Sequence, residues 1–116
     1  MSWPKYNKPF FFHMRLEDNA HFTGITACAV PTGIGEKDFK VGFSICDVKD
    51  NFNKKMGRRI SEGRAVKYGI NNIVQANDLE ELKARVTQEA MGTLQIATKL
   101  RIERLERKGI VAFSAF

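Results

Sequence analysis

The chain has little of what chemistry-bearing proteins usually carry. Its 116 residues include two cysteines, two histidines, one tryptophan and three prolines. Cys28 and Cys46 stand alone, without a CxxC pair or a cysteine–histidine spacing that would build a zinc site, and in a reducing compartment they read as small buried hydrophobes. His13 and His21 flank one turn and lack a third ligand, so no metal site is expected. Cys28 with either histidine would supply a nucleophile and a base, but no orienting group and no oxyanion hole. No catalytic set and no cofactor are expected, and the chain reads as a non-enzyme. No run of about 18 uncharged apolar residues occurs, which argues against a membrane-spanning helix. Residues 1–6 lack the apolar core of a signal peptide, so a cytoplasmic location is expected. Gly33-Ile34-Gly35-Glu36-Lys37 lacks the GxxxxGK[ST] spacing and leads into a strand-like segment, which makes it a hairpin turn.

What is present is apolar material for one core. Hydrophobic residues make up 43% of the chain and nine are phenylalanine, enough for one globular domain and too little for two. Residues 1–8, with Pro4 and nearby Pro9, read as a loosely held arm. From residue 9 to 47 the pattern has period two. Phe10, Phe12, Met14 and Leu16 alternate with Phe11, His13 and Arg15, and Glu17 to Ala20 supply a turn. Residues 21–30 return antiparallel, and Phe39, Val41, Phe43 and Ile45 give a third strand. This predicts an α+β fold that begins with an antiparallel three-stranded meander.

The remainder is helical. Residues 51–68 place Phe52, Met56, Ile60 and Val66 on one arc, which predicts an amphipathic helix capped by Asp47 or Asp50 and ended by Gly69. Residues 70–76 fit a small strand or an irregular connector. Residues 78–108 form a long helix with acids in its first turn and cations in its last, complementing the helix dipole. At 1.5 Å per residue it would measure about 46 Å, so it either bends near Gly92 or protrudes. Its apolar stripe (Leu79, Leu82, Val86, Ala90, Leu94, Ala97, Leu100, Leu105) is wider than a three-stranded sheet needs, which predicts a homo-oligomer. Residues 110–116 suit a short edge strand.

The formal charge of +6 is concentrated. Six cations and one acid lie between Asn51 and Tyr68, a local excess of five that leaves the rest of the chain nearly balanced. Lys54, Lys55, Arg58 and Arg59 share an arc of roughly 140° opposite the apolar one. Lys54 and Lys55 stand in the first turn, where cations oppose the dipole, and Gly57 and Gly63 interrupt the helix where alanine would be about 0.5–1 kcal/mol better. Cations and bare backbone together suit a phosphate-bearing ligand, with Arg64 added from the next turns. Arg101, Arg104 and Lys108, at i, i+3 and i+7 on the long helix, would extend such a surface.

The run Val41-Gly42-Phe43-Ser44-Ile45-Cys46, followed by Asp50 to Ile60 and Gly63-Arg64-Ala65, resembles a segment of small accessory proteins of tailed bacteriophages, in particular the type 1 anti-Thoeris (Thoeris anti-defence) proteins. The resemblance is strong over about 25 residues. It implies an N-terminal antiparallel sheet, C-terminal helices, an oligomer built from dimers, and a non-enzymatic role in the host bacterial cytoplasm. That role is sequestration of a cyclic ADP-ribose-type or cyclic oligonucleotide immune signal. It further implies that Arg58 and Arg64, with Gly24 on a facing strand, contact phosphates in a pocket shared between protomers. Two other classes fit the residues: a basic nucleic-acid-binding accessory protein, motivated by a pI near 9.6, and an inhibitor that applies the long helix to a host enzyme.

Overall fold

A computed structural model describes residues 8–33, 35, 37–49, 53–69 and 72–107, the last three by backbone alone. The period-two segments form three strands, β1 (Phe10–Arg15), β2 (Phe22–Pro31) and β3 (Asp38–Asp47). The turn between β1 and β2 closes as its residues dictate. Asp18 adopts a left-handed φ of 56°, and the Asn19 side-chain oxygen accepts from the backbone N–H groups of His21 and Phe22, each at 2.8 Å. Between β2 and β3, Gly33 takes a φ of 78°, which a glycine adopts without strain.

The predicted three-stranded meander is present and gains a fourth strand, the small strand that is one of the two readings for residues 70–76. Ile73–Gln75 forms β4, antiparallel to the start of β3, and the sheet order is β1-β2-β3-β4. Three residues around one buried valine, Val74, are too few to show a period, so tertiary pairing decides their state.

Two helices cover opposite faces of the sheet. α2 (Leu79–Arg107) lies on the face made by Ile25, Ala27, Ala29, Phe39, Val41 and Phe43, and contributes Leu82, Val86 and Ala90 at four-residue spacing to the core. Asp78 starts it by accepting from Glu81 N–H at 2.8 Å. The helix runs unbroken through Gly92 for 29 residues, about 43 Å. A ten-residue strand spans only about 33 Å, so α2 is about 10 Å longer than the strands it lies along, and Arg101 still reaches Asp47 at the end of β3, while Ile96 and Leu100 are 63% and 53% exposed.

α1 (Lys54–Tyr68) lies on the other face. Its cap is Asn53, whose side chain accepts from Met56 N–H at 3.1 Å, and not the Asp47 that the sequence offers. Asp47 belongs to β3, and Asp50 to Phe52 lie outside the described residues. Gly69 caps the other end, in right-handed conformation. Residues 1–7 of the predicted arm, Lys108 and the predicted strand at 110–116 also lie outside the described residues.

Candidate anion-binding site

The orientation of α1 corrects the sequence reading. Met56 is 50% exposed and Val66 59%, and Ile60 is exposed as well, while the buried residues are Gly57, Ser61 and Ala65. The cause lies in the sheet. The face of β2 and β3 turned to α1 carries Gly24, Thr26, Cys28, Gly42 and Ser44, a floor of small and hydroxyl-bearing residues. A helix reaches such a floor only through small residues of its own. A β-carbon on Gly42 would fall on the backbone of Ser61 and Ala65 and lie 2.8 Å from the carbonyl carbon of Arg64. One on Gly57 would meet the hydroxyl of Thr26 and lie 3.0 Å from its β-carbon. Gly57 therefore admits the sheet and not a ligand, whereas Gly63 is exposed with open space beside it.

With the buried arc centred on Gly57, Ser61 and Ala65, the cations divide. Lys54, Lys55, Arg58, Arg59, Arg64 and Lys67 are all exposed. Lys54 and Arg58 border the sheet beside β1, where both act on His13. Lys55 and Arg59 point outward. Arg64 borders the opposite flank, and its Nη1 donates to the Phe43 carbonyl on β3 at 2.7 Å. The single patch expected opposite an apolar arc is a basic outer face instead, with no one focus.

Gly24 is buried on β2, beside the first turn of α1. It lines a cavity of about 250 Å³ with Thr26, Ser44, Asn53, Met56 and Ile60. None of the five α1 cations proposed from the sequence lines it. Asn53 already occupies the Met56 N–H there, and His13 Nδ1 engages the Thr26 hydroxyl at 2.9 Å. His13 and His21 do not meet: His13 joins Thr26 on the α1 face, and His21 lies against Phe22 with ring centroids 6.2 Å apart. Among the described residues no cluster of histidine, cysteine and carboxylate could hold a metal ion. Burial pushes the Cys28 thiol up to about 12, with Glu62 adding to the effect, which removes it as a nucleophile near neutral pH.

A second cavity carries more charge. It measures about 510 Å³ and is lined by Phe22, Asp47, Lys49, Ala97, Leu100, Arg101 and Arg104. A bulge builds it. The pairing Phe22↔Asp47 is shifted by one residue from Gly24↔Cys46, so Thr23 is inserted and Phe22 turns from the α1 face to the α2 face. There the Arg101 guanidinium stands 5.5 Å above the Phe22 ring and is hydrogen-bonded to the Asp47 carboxylate. Arg101, and after it the Lys49 backbone N–H, hold the Asp47 carboxyl below its usual range. Arg101 and Arg104 were legible as i, i+3 neighbours. Phe22, Asp47 and Lys49 were missed: the phase of β3 already puts Asp47 on the face of Phe43, but an inserted residue in β2 leaves no periodic signal. No protein family, no characterised protein and no solved structure matches the chain.

Proposed function

We propose that the chain binds and holds an anionic, nucleotide-type ligand without altering it, and that the ligand sits in the cavity between β2, β3 and α2. The observation that carries this reading is the composition of that cavity. A volume of about 510 Å³ falls within the range of about 300–1,000 Å³ usual for small-ligand sites. Three cations face one carboxylate, beside an aromatic ring and two aliphatic side chains. Arg101 is committed to Asp47, which fixes its position over Phe22 and leaves Lys49 and Arg104 as the charges to meet a phosphate. The basic face of α1 raises the local potential and draws an anion toward the molecule.

The resemblance over residues 41–65 supplies the biological form of the proposal. The ligand class is a cyclic nucleotide immune signal, the protein is phage-encoded, and its effect in the host cytoplasm is to keep a defence effector unactivated. Self-association through the outward side of α2, with Met91 and Ile96 exposed, belongs to the same proposal. Cyclic ADP-ribose and cyclic dinucleotides should raise the melting temperature and bind with defined stoichiometry in calorimetry. Arg104→Ala and Lys49→Ala should weaken binding by about tenfold or more each, the loss of a charge-assisted hydrogen bond. Absence of a shift with every such nucleotide, or unchanged affinity in both variants, would overturn the cavity assignment.

A further inference from the structure

α1 offers a surface that the cavity does not use. Its six exposed cations are accompanied by one acid, the half-buried Glu62. Met56, Ile60 and Val66 are exposed among those cations. A helix that settles on a lipid surface sets an apolar stripe against a cationic face. Here the two kinds of residue are interspersed, and the charge complements a ridged polyanion instead.

Beneath this surface lies a titratable group. His13 is half-buried, its ring bonded to Thr26, and Thr26 is the residue on which Gly57 rests. From α1, Lys54 and Arg58 act on the imidazole, and Glu62 acts on Cys28. From β1, Arg15 follows two residues along on the same face. From β2, Thr26 and Cys28 bring no charge, since the Cys28 thiol stays protonated. Desolvation, then Lys54, then Arg58, hold His13 below its ordinary 6.5, so the imidazole is neutral at pH 7.

We propose that the outer face of α1 binds the phosphate backbone of a nucleic acid, and that His13 takes up a proton as phosphates neutralise Lys54 and Arg58, so that binding tightens as the pH falls. The coupling is reciprocal. An anion that cancels the two cations eases protonation of the imidazole beneath them, and a protonated imidazole adds a positive charge that favours the anion. Each tenfold rise in the proton affinity of His13 on binding gives up to about a tenfold rise in nucleic-acid affinity between alkaline and acid conditions. The inference does not depend on occupancy of the cavity.

The test uses the full chain and a short labelled oligonucleotide, in separate single-stranded and double-stranded arms, followed by anisotropy at about pH 8 and about pH 5.5, which bracket histidine titration. Affinity should be severalfold higher at the lower pH, and calorimetry in two buffers of different ionisation enthalpy should record proton uptake on binding. For duplex DNA, engagement of four phosphates predicts a slope of log affinity against log salt of about −3.6. Lys55→Glu with Arg59→Glu, both exposed, should abolish binding, while Arg85→Ala, exposed on α2, should leave it unchanged. His13→Gln keeps a neutral hydrogen-bonding side chain beside Thr26 and should bind as the parent does at the higher pH, with the pH dependence gone; His21→Gln should keep it. No binding in either arm at low salt overturns the surface. Salt-dependent binding without proton uptake in the unmodified protein overturns the role of His13, whatever the variants do.

Discussion

The seating of α1 can be tested by adding one methyl group at a time. Gly57 and Gly63 lie six residues apart in the same helix, and the intrinsic gain from replacing either with alanine is about 0.5–1 kcal/mol. At Gly63, exposed with nothing within 4 Å of the new carbon, that gain should be realised in full. At Gly57 the methyl would strike the hydroxyl of Thr26, which is 2% exposed and already bonded to His13. Overpacking costs about 1–3 kcal/mol and a broken hydrogen bond about 1 kcal/mol, so Gly57→Ala should be destabilising by about 1–3 kcal/mol after the helix gain is subtracted. Gly42→Ala is harsher, because the obstacles are the backbone of Ser61, Arg64 and Ala65, which cannot rotate aside. Lifting α1 to make room should cost about 3 kcal/mol or more. Urea denaturation followed by circular dichroism, with the m-value checked for constancy, measures all three. The expected order of stability is Gly63→Ala, parent, Gly57→Ala, Gly42→Ala. Met56→Ser is the companion measurement, expected within about 0.5 kcal/mol because the side chain is half exposed, against about 2–5 kcal/mol for truncating a buried side chain of that size. A neutral Gly57→Ala together with a costly Met56→Ser would mean that the apolar arc packs on the sheet after all, and the assignment of the basic outer face would fall with it.

Gly92→Ala should stabilise by about 0.5–1 kcal/mol in the same assay, since α2 is helical through that position and nothing lies within 4 Å of the added carbon; a loss of stability would indicate that the helix needs glycine there. Asp47 should make the fold acid-sensitive. Its carboxyl is held below the ordinary 3.8 by Arg101 and the Lys49 N–H, so its stabilisation is complete above that value and lost as the pH falls toward the lower native value. Asp47→Asn should flatten this part of the stability curve without changing the curve near neutrality in slope, and an identical acid limb in both proteins would refute the assignment. The two thiols should differ in reactivity: Cys28 is fully buried with its thiol pushed up to about 12, whereas Cys46 is half-buried, so Ellman titration of the native protein should show one faster and one slower group. Equal rates without unfolding would contradict the packing around Cys28.

The strands were legible because one face of each is apolar and the other polar or small, and β1, β2 and β3 follow that alternation to within a residue or two at their ends. The early turns of α2 were legible for the same reason at helical spacing, through Leu82, Val86 and Ala90. α1 shows where such reasoning fails. Its existence and its end at Gly69 follow from the sequence, but its buried side does not, because hydrophobicity points to Met56, Ile60 and Val66 while the sheet beneath accepts only Gly57, Ser61 and Ala65. The deciding information sits in β2 and β3, some 30 residues upstream at Thr26 and 15 at Gly42, and no pattern within the helix contains it. The cavity was half legible. Arg101 and Arg104 stood out as neighbours on α2 and the phase of β3 puts Asp47 on their face, but Phe22 arrives through the bulge at Thr23, which changes the face of a side chain without changing the composition of the strand.

Anchorage through three small residues has an evolutionary consequence. Because Gly57, Ser61 and Ala65 hold α1 in place, most of its fifteen positions carry no packing duty. The outer face can therefore be rewritten, in charge and in partner, while the scaffold stays still. A saturation library over α1 should show a narrow intolerant strip at those three positions and wide latitude elsewhere, the profile of a surface that can change its target faster than its fold.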